Sequence, residues 1–247
     1  MNRQTLTAYP IVRDVPGLLA FLGVVFGAVE KLRTVGPAGG YHAEAQIGDT
    51  VLMMGGGGPD LPWQGDARPM AFHIYVPDTD AAYRRAMDAG GESLQAPTDR
   101  EWGERTANVK DPCGNCWYIA TFQGENYFSE GAPTIQPFLQ PTRSEPVIAF
   151  LTSAFGATEL GRAATPGGTI LHTTLKIGNS AMELCDASGI YQPMPGMFYL
   201  YVADADAVYN RALECGAEAI SAPADQPYSD RNGSVKDVSG NIWYVAC

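Results

Sequence analysis

An internal duplication constrains this chain more than any other feature of its sequence. His73-Ile-Tyr-Val-Pro-Asp-Thr-Asp-Ala-Ala-Tyr83 returns as Tyr199-Leu-Tyr-Val-Ala-Asp-Ala-Asp-Ala-Val-Tyr209, and Val109-Lys-Asp-Pro-Cys-Gly-Asn-Cys-Trp-Tyr118 returns as Val235-Lys-Asp-Val-Ser-Gly-Asn-Ile-Trp-Tyr244. Compared without gaps, residues 73–120 and 199–246 agree at about 22 of 48 positions. The earlier parts correspond more loosely: Ala20-Phe-Leu…Phe26-Gly-Ala matches Ala149-Phe-Leu…Phe155-Gly-Ala, and His42…Ile47-Gly-Asp matches His172…Ile177-Gly-Asn. Any fold assigned to one half must therefore serve for the other.

The copies meet between Gln123 and Thr134, a polar stretch with Gly124, Gly131 and Pro133 and no periodic apolar pattern. This divides the chain into a first domain over 1–124 (modules about 1–68 and 69–124), a linker over 125–133, and a second domain over 134–247 (modules about 134–195 and 196–247). A length of 247 residues suits two domains, and a composition 45% hydrophobic and 17% charged excludes a disordered chain. With 27 acidic against 16 basic side chains the net charge is −11. Both halves are acidic, so nucleic acid and anionic membrane surfaces are not expected partners. The longest apolar run, Leu18 to Val29, is too short to span a bilayer. It follows Asp14 and Pro16, and its pattern recurs in mid-chain, so it reads as a helix rather than a signal peptide. Five scattered cysteines, an odd number, point to reduced thiols and a cytoplasmic location.

Within each half the pattern of strand, helix and further strands occurs twice. Short strands are expected over Thr5 to Val12, Ala71 to Val76, Thr134 to Leu139 and Met197 to Val202. Helices follow at about Pro16–Phe26, Thr79–Ala89, Glu145–Phe155 and Ala205–Cys215, with Asp78 and Asp204 as N-caps and Gly90 and Gly216 just past the ends. Alternation places His73 and Tyr75 on one face of their strand and Ile74 and Val76 on the other. In the closing strand, Cys116, Tyr118 and Ala120 oppose Trp117 and Ile119. The aliphatic face is expected to pack under a helix, and the aromatic and polar face to line a cavity.

These motifs, together with Trp102-Gly-Glu-Arg105 and the closing Asp-Pro-x-Gly-Asn-x-Trp strand, resemble the vicinal oxygen chelate superfamily, which includes glyoxalase I, bleomycin-resistance proteins and extradiol dioxygenases. His42-Ala-Glu44 followed by Ile47-Gly-Asp49 is similar to its PhnB-like branch. The resemblance covers nearly the whole chain. It implies an α+β fold of four βαβββ modules forming two glyoxalase-like half-open barrel domains. It also implies that a divalent metal, where members carry one, is held by His, Glu or Gln on the first and last strands of two modules. Those places fall near Ala8, Met53, His73 and Tyr118 in the first copy, and at Gln136 or Phe138, Glu183, Tyr199 and Tyr244 in the second. His73 and Glu183 are the only strong candidates, so no catalytic metal and no other cofactor is expected.

Each candidate residue carries a functional and a structural reading. His73 is a cavity acid/base or a hydrogen-bonded strand histidine; His42 and His172 recur at matched positions, as structural histidines would. Glu183 faces a cavity or the sheet edge. Arg105 and Arg231, with Trp102 and Tyr228 three residues upstream, either clamp a planar or anionic ligand or fix their loop by pairing with Asp111 and Asp237. Cys113-Gly-Asn-Cys116 has redox spacing but sits at a turn into a strand, and the second copy has Ser239 and Ile242. Gly55 to Gly58 reads as a flexible loop, since no Lys-Ser/Thr follows. No Gly-x-Ser-x-Gly elbow is present.

The expectation is a binder of a small, aromatic or cationic molecule, with Tyr75, Trp102, Arg105, Tyr118, Glu183, Tyr199, Tyr201, Tyr228, Arg231 and Tyr244 as binding residues. The alternatives are a lyase, isomerase or dioxygenase, metal-dependent through His73 and Glu183 or using His73 and tyrosines, and a scaffold with one degenerate copy. Fused copies replace a homodimer, so a monomer is expected, with a dimer as the alternative.

Overall fold

The computed structural model describes residues 4–123, 133–228 and 230–247. The linker expected over 125–133 therefore lies outside the described residues except for Pro133. The fold is α+β, with four helices and seventeen strands among the described residues and no sheet closed on itself. The first copy runs β1 (Leu6–Ala8), β2 (Ile11–Val12), α1 (Val15–Phe26), β3 (Val29–Val35), β4 (Tyr41–Ile47), β5 (Thr50–Gly56), β6 (Ala71–Tyr75), α2 (Thr79–Asp88), β7 (Glu92–Asp99), β8 (Glu104–Lys110) and β9 (Cys116–Phe122). The second runs β10 (Ile135–Leu139), α3 (Ser144–Phe155), β11 (Thr158–Ala164), β12 (Ile170–Ile177), β13 (Ser180–Leu184), β14 (Met197–Tyr201), α4 (Ala205–Glu214), β15 (Glu218–Asp225), β16 (Arg231–Lys236) and β17 (Ile242–Ala246).

Two compact units result. The first is Pro10–Pro137; the second is Phe138–Cys247 together with the opening strand through Tyr9. The repeat divides the sequence, whereas strand pairing groups the units. The opening segment breaks at Pro10, which has no N–H to continue a ladder. Before the break, β1 pairs antiparallel with β14, setting Leu6 against Leu200 and Thr7 against Tyr199. After it, β2 pairs parallel with β5. In β10 the same change of partner comes after Pro137: Ile135, Gln136 and Pro137 pair with β6, and Phe138 and Leu139 with β13. The first unit thus holds the sheet β2-β5-β4-β3 and the sheet in which the start of β10 is followed by β6-β9-β8-β7. The second holds β1-β14-β17-β16-β15, and the end of β10 followed by β13-β12-β11.

The four helices lie within a residue of the expected spans. Asp78 and Asp204 cap α2 and α4, each accepting from the N–H three residues on at 2.9 Å. The other two helices start differently. Asp14 caps α1 by accepting from Gly17 N, but Arg143 gives α3 no side-chain cap. Asp186, just beyond β13, takes over by accepting from Ser144 N and Ile170 N. At the far ends of α1 and α3, Arg85 donates to the Val25 carbonyl and Arg211 to the Ala154 carbonyl. A cation there answers both the unpaired carbonyls and the helix dipole.

The core forms on the helix side of each sheet. In the first unit, Ala107, Val109, Trp117 and Ile119 are fully buried, as are Ala82 and Ala86 of α2. Trp117 stacks on Phe72 with ring centroids 4.6 Å apart, and Trp243 stacks on Phe198 at 4.5 Å in the second unit. The closing motif explains itself at this level. Asp111 accepts from Cys113 N and Asn115 N on one oxygen and from Asn115 Nδ2 and Trp117 Nε1 on the other. Asn115 Oδ1 in turn accepts from Met70 N. Asp237, Asn241 and Trp243 repeat the lock, with Gly196 N as the last donor. Burial raises both aspartates above the usual carboxylate value against the pull of these donors.

The glycine run is not a flexible loop, as its sequence suggests. Gly55 and Gly56 belong to β5, paired with both β2 and β4. Gly56 has φ +128°, and a Cβ there would lie 1.9 Å from the Val12 carbonyl oxygen. Glycine is required because two backbones touch.

Candidate functional site

Strand register decides which side chains share a face, and each unit has a sheet face turned away from its helix. In the first unit His73 pairs with Gln136 on one side and Tyr118 on the other, and Tyr118 pairs with Asn108. Alternation adds Tyr75, Thr106 and Glu104 to this face. His73 and Tyr75 are half-buried, with ring centroids 4.5 Å apart. Tyr118, Asn108, Glu104 and Gln136 are buried. The Gln136 Oε1 atom has no hydrogen-bond partner. Tyr75 OH and Trp102 Nε1 donate to the two oxygens of Glu104 at 2.8 and 2.7 Å. Sequence reasoning missed Glu104. Its only signal was a carboxylate at an inward position of a strand, two residues after an aromatic.

The matching face of the second unit is phenolic. Tyr199 and Tyr244 stack at 4.9 Å with planes 10° apart, Tyr201 lies 6.0 Å from Tyr199, and Tyr9 meets Tyr199 edge-on at 5.5 Å. All four rings are half-buried. Burial raises the Tyr199 phenol, which stays neutral at physiological pH. Tyr228 accepts a hydrogen bond from Asn232 at 3.1 Å at the edge of this face. Glu183 lies elsewhere in this unit, buried, with its carboxylate 3.3 Å from His172 Nε2 and with Phe138 as its strand partner. In the first unit His42 lies 3.6 Å from Glu44.

Arg105 and Arg231 belong to the helix side. Arg105 pairs with Asp80 of α2 through two nitrogens and with Asp99 through the third, at 2.9 Å. Arg231 does the same with Asp206 and Asp225. The expected pairing with Asp111 or Asp237 is thus corrected: those carboxylates are consumed by the tryptophan lock. Arg105 holds Asp80 and Asp99 below the usual carboxylate value of 3.8. A lowered native value adds stability above that pH and loses it as pH falls through the native value. In Arg105→Ala, the melting temperature is therefore expected to be lower at neutral pH and to fall less steeply below about pH 4. A melting curve at each pH checks this, and a parallel decline in both proteins refutes it.

The CxxC pair is inert. Burial pushes Cys113 up to about 12 and Cys116 up to about 11, so neither is a thiolate near neutral pH. A cleft of about 280 Å³ in the second unit, between Pro141–Pro146 and Pro193–Pro195, includes none of the expected site residues. The corresponding place in the first unit is bridged by the backbones of Ile11 and Arg68.

The repeat and the fold find their counterpart among known proteins. A model of the glyoxalase/bleomycin resistance protein/dioxygenase superfamily matches residues 9–119 and again 138–245. The chain belongs to this superfamily. Glyoxalase I from Zea mays is similar in fold, with a TM-score of 0.76 over 98% of this chain and 92% of that one, at 17% identity. An uncharacterized protein of Mycobacterium tuberculosis is 31% identical over 132 residues, 49% of this chain and 78% of that protein. One of Mycobacterium bovis is 34% identical over 122 residues, 46% of this chain and 80% of that protein.

Superfamily members that use a metal set the standard for the donors. Of the places that the resemblance assigns, the first unit holds Met53, His73, Gln136 and Tyr118, and the second holds Thr7, Glu183, Tyr199 and Tyr244. The register makes Thr7 and Gln136 the counterparts, in place of Ala8 and Phe138. The first set has one imidazole and no carboxylate, the second one carboxylate and no imidazole, so each falls short of three or four strong ligands. Among the described residues no group of three or more His, Cys, Asp or Glu is arranged to hold an ion. Within either unit, the donors do not fit a divalent metal. No described helix is long and apolar enough to cross a membrane.

Proposed function

We propose that this protein binds a small aromatic or cationic molecule, as a monomer in a reducing compartment and without a metal-dependent step. The observation that carries the reading is the tyrosine face of the second unit. Tyr199 and Tyr244 lie almost parallel, with Tyr9 edge-on, and every ring is still open to solvent in part. Such a surface is already ordered, so a flat ligand gains about 0.5–1.5 kcal/mol per ring contact with little ordering cost. The net charge of −11 favours a cation over an anion.

Titration of the whole chain with an acridinium dye tests it. Saturable binding with the dye recovered unchanged is expected, weakened about tenfold by Tyr199→Ala or Tyr244→Ala. Elemental analysis of protein purified without chelator is expected to find less than about a tenth of a divalent ion per chain. Stoichiometric metal, or multiple turnovers of the ligand, overturns the reading.

A second reading is a lyase, isomerase or dioxygenase of the superfamily. It is favoured by the shared face of His73, Tyr75, Tyr118 and Gln136, where an imidazole and phenols stand together for proton transfer. Turnover abolished by His73→Ala would support it; full turnover in that variant would remove His73 from the chemistry.

A further inference from the structure

We infer that Glu104 is the counter-charge of a recognition site for an organic cation with N–H donors, an ammonium or amidinium, on the face of the first unit turned from α2. This rests on the small-molecule reading above and names the ligand class for one face.

Glu104 is 4% exposed. Its oxygens receive one neutral donor each, Tyr75 OH and Trp102 Nε1. Among the described residues no Lys, Arg or His forms an ion pair with it. A carboxylate has about four acceptor sites, so about two stay open. Asp111, by contrast, has a donor for every one. Ionised carboxylates are rarely buried without a cation, because the lost hydration is not returned.

Arg100 does not fill the role. Its Nε donates to Thr106, and its guanidinium lies 5.6 Å over the Trp102 ring. The two donors to Glu104 are themselves aromatic, and a cation beside the carboxylate meets the Tyr75 and Trp102 rings. A second acceptor points to the same chemistry: Gln136 Oε1, on the same face by register, is buried and without a partner. The face thus offers acceptors where a ligand would bring donors. At the matching position of the second unit stands a shorter carboxylate, half-buried Asp230, and Tyr228, in the place of Trp102, accepts from Asn232.

Calorimetric titration of the full chain with benzamidinium, its neutral isostere benzamide, and benzoate tests the site. Benzamidinium is expected to bind once per chain, at least about tenfold more tightly than benzamide, with benzoate weakest. Glu104→Gln is expected to remove the preference while circular dichroism and melting stay native. Should that variant not fold, the three probes on the unaltered chain still decide. Equal binding of amidine and amide, no saturable amidine binding, or a preference that survives in folded Glu104→Gln overturns the proposal. If the acridinium dye still binds through Tyr199 while no amidine preference is seen, the small-molecule reading stands and the Glu104 site alone fails.

Discussion

Asp111→Ala is expected to lower the stability of the first unit by about 4 kcal/mol. The carboxylate accepts from two backbone N–H groups, the Asn115 amide and the Trp117 indole, all in a setting where Asp111 is 3% exposed. Each buried donor left without a partner costs about 1–3 kcal/mol, and water entering the space recovers part of it. Asp111→Asn is expected to fall between, because an amide keeps one acceptor oxygen but turns its own N–H₂ toward donors. Guanidinium unfolding followed by tryptophan fluorescence reads both. Asp237→Ala is expected to behave alike in the second unit. A loss below about 1 kcal/mol would mean the lock is not what closes the turn.

Gly56→Ala is expected to be nearly as damaging, at about 3 kcal/mol or more. The added methyl would lie 1.9 Å from the Val12 carbonyl oxygen, itself the acceptor for Gly57 N. The residue also sits at φ +128°, a region that side chains rarely enter. Either β2 leaves β5 or the strand end bends away. Gly27→Ala is the fitting control: its φ is also positive, but no atom lies within 4 Å of the position. Its smaller loss separates conformational strain from collision. Equal losses in the two variants would show that the contact at Val12 contributes nothing.

These effects mark what the sequence could carry. Helix spans, the caps at Asp78 and Asp204, and the alternation that buries Trp117 while leaving His73 half-open all follow from local pattern, and the structure bears them out. Partner choice does not. Arg105 was legible as a structural cation, yet Asp80 on the helix and Asp99 across the strand took it, because Asp111 faces a buried indole that no pattern links to it. Glu104 was missed for a similar reason. It receives two aromatic donors and, among the described residues, pairs with no cation, an arrangement that only the fold brings about. The exchange of partners at Pro10 and Pro137 needs the register between strands far apart in sequence, and periodicity is silent on that.

Placing β1 beside β14 has a consequence for the order in which the molecule is made. Leu6 and Leu200 are nearly two hundred residues apart. At translation rates of 5–20 residues per second, β1 waits roughly 10–40 s for its partner. Pro10–Pro137 holds the strands of the first unit, all made well before Leu200. Leu6–Ala8, with three buried side chains, must meanwhile remain unpaired as an open strand. Closing so long a loop adds only a logarithmic entropy cost to the final stability but slows the step that forms it. Folding of the second unit is thereby the late event of synthesis, since its first strand has no partner until Leu200 is made.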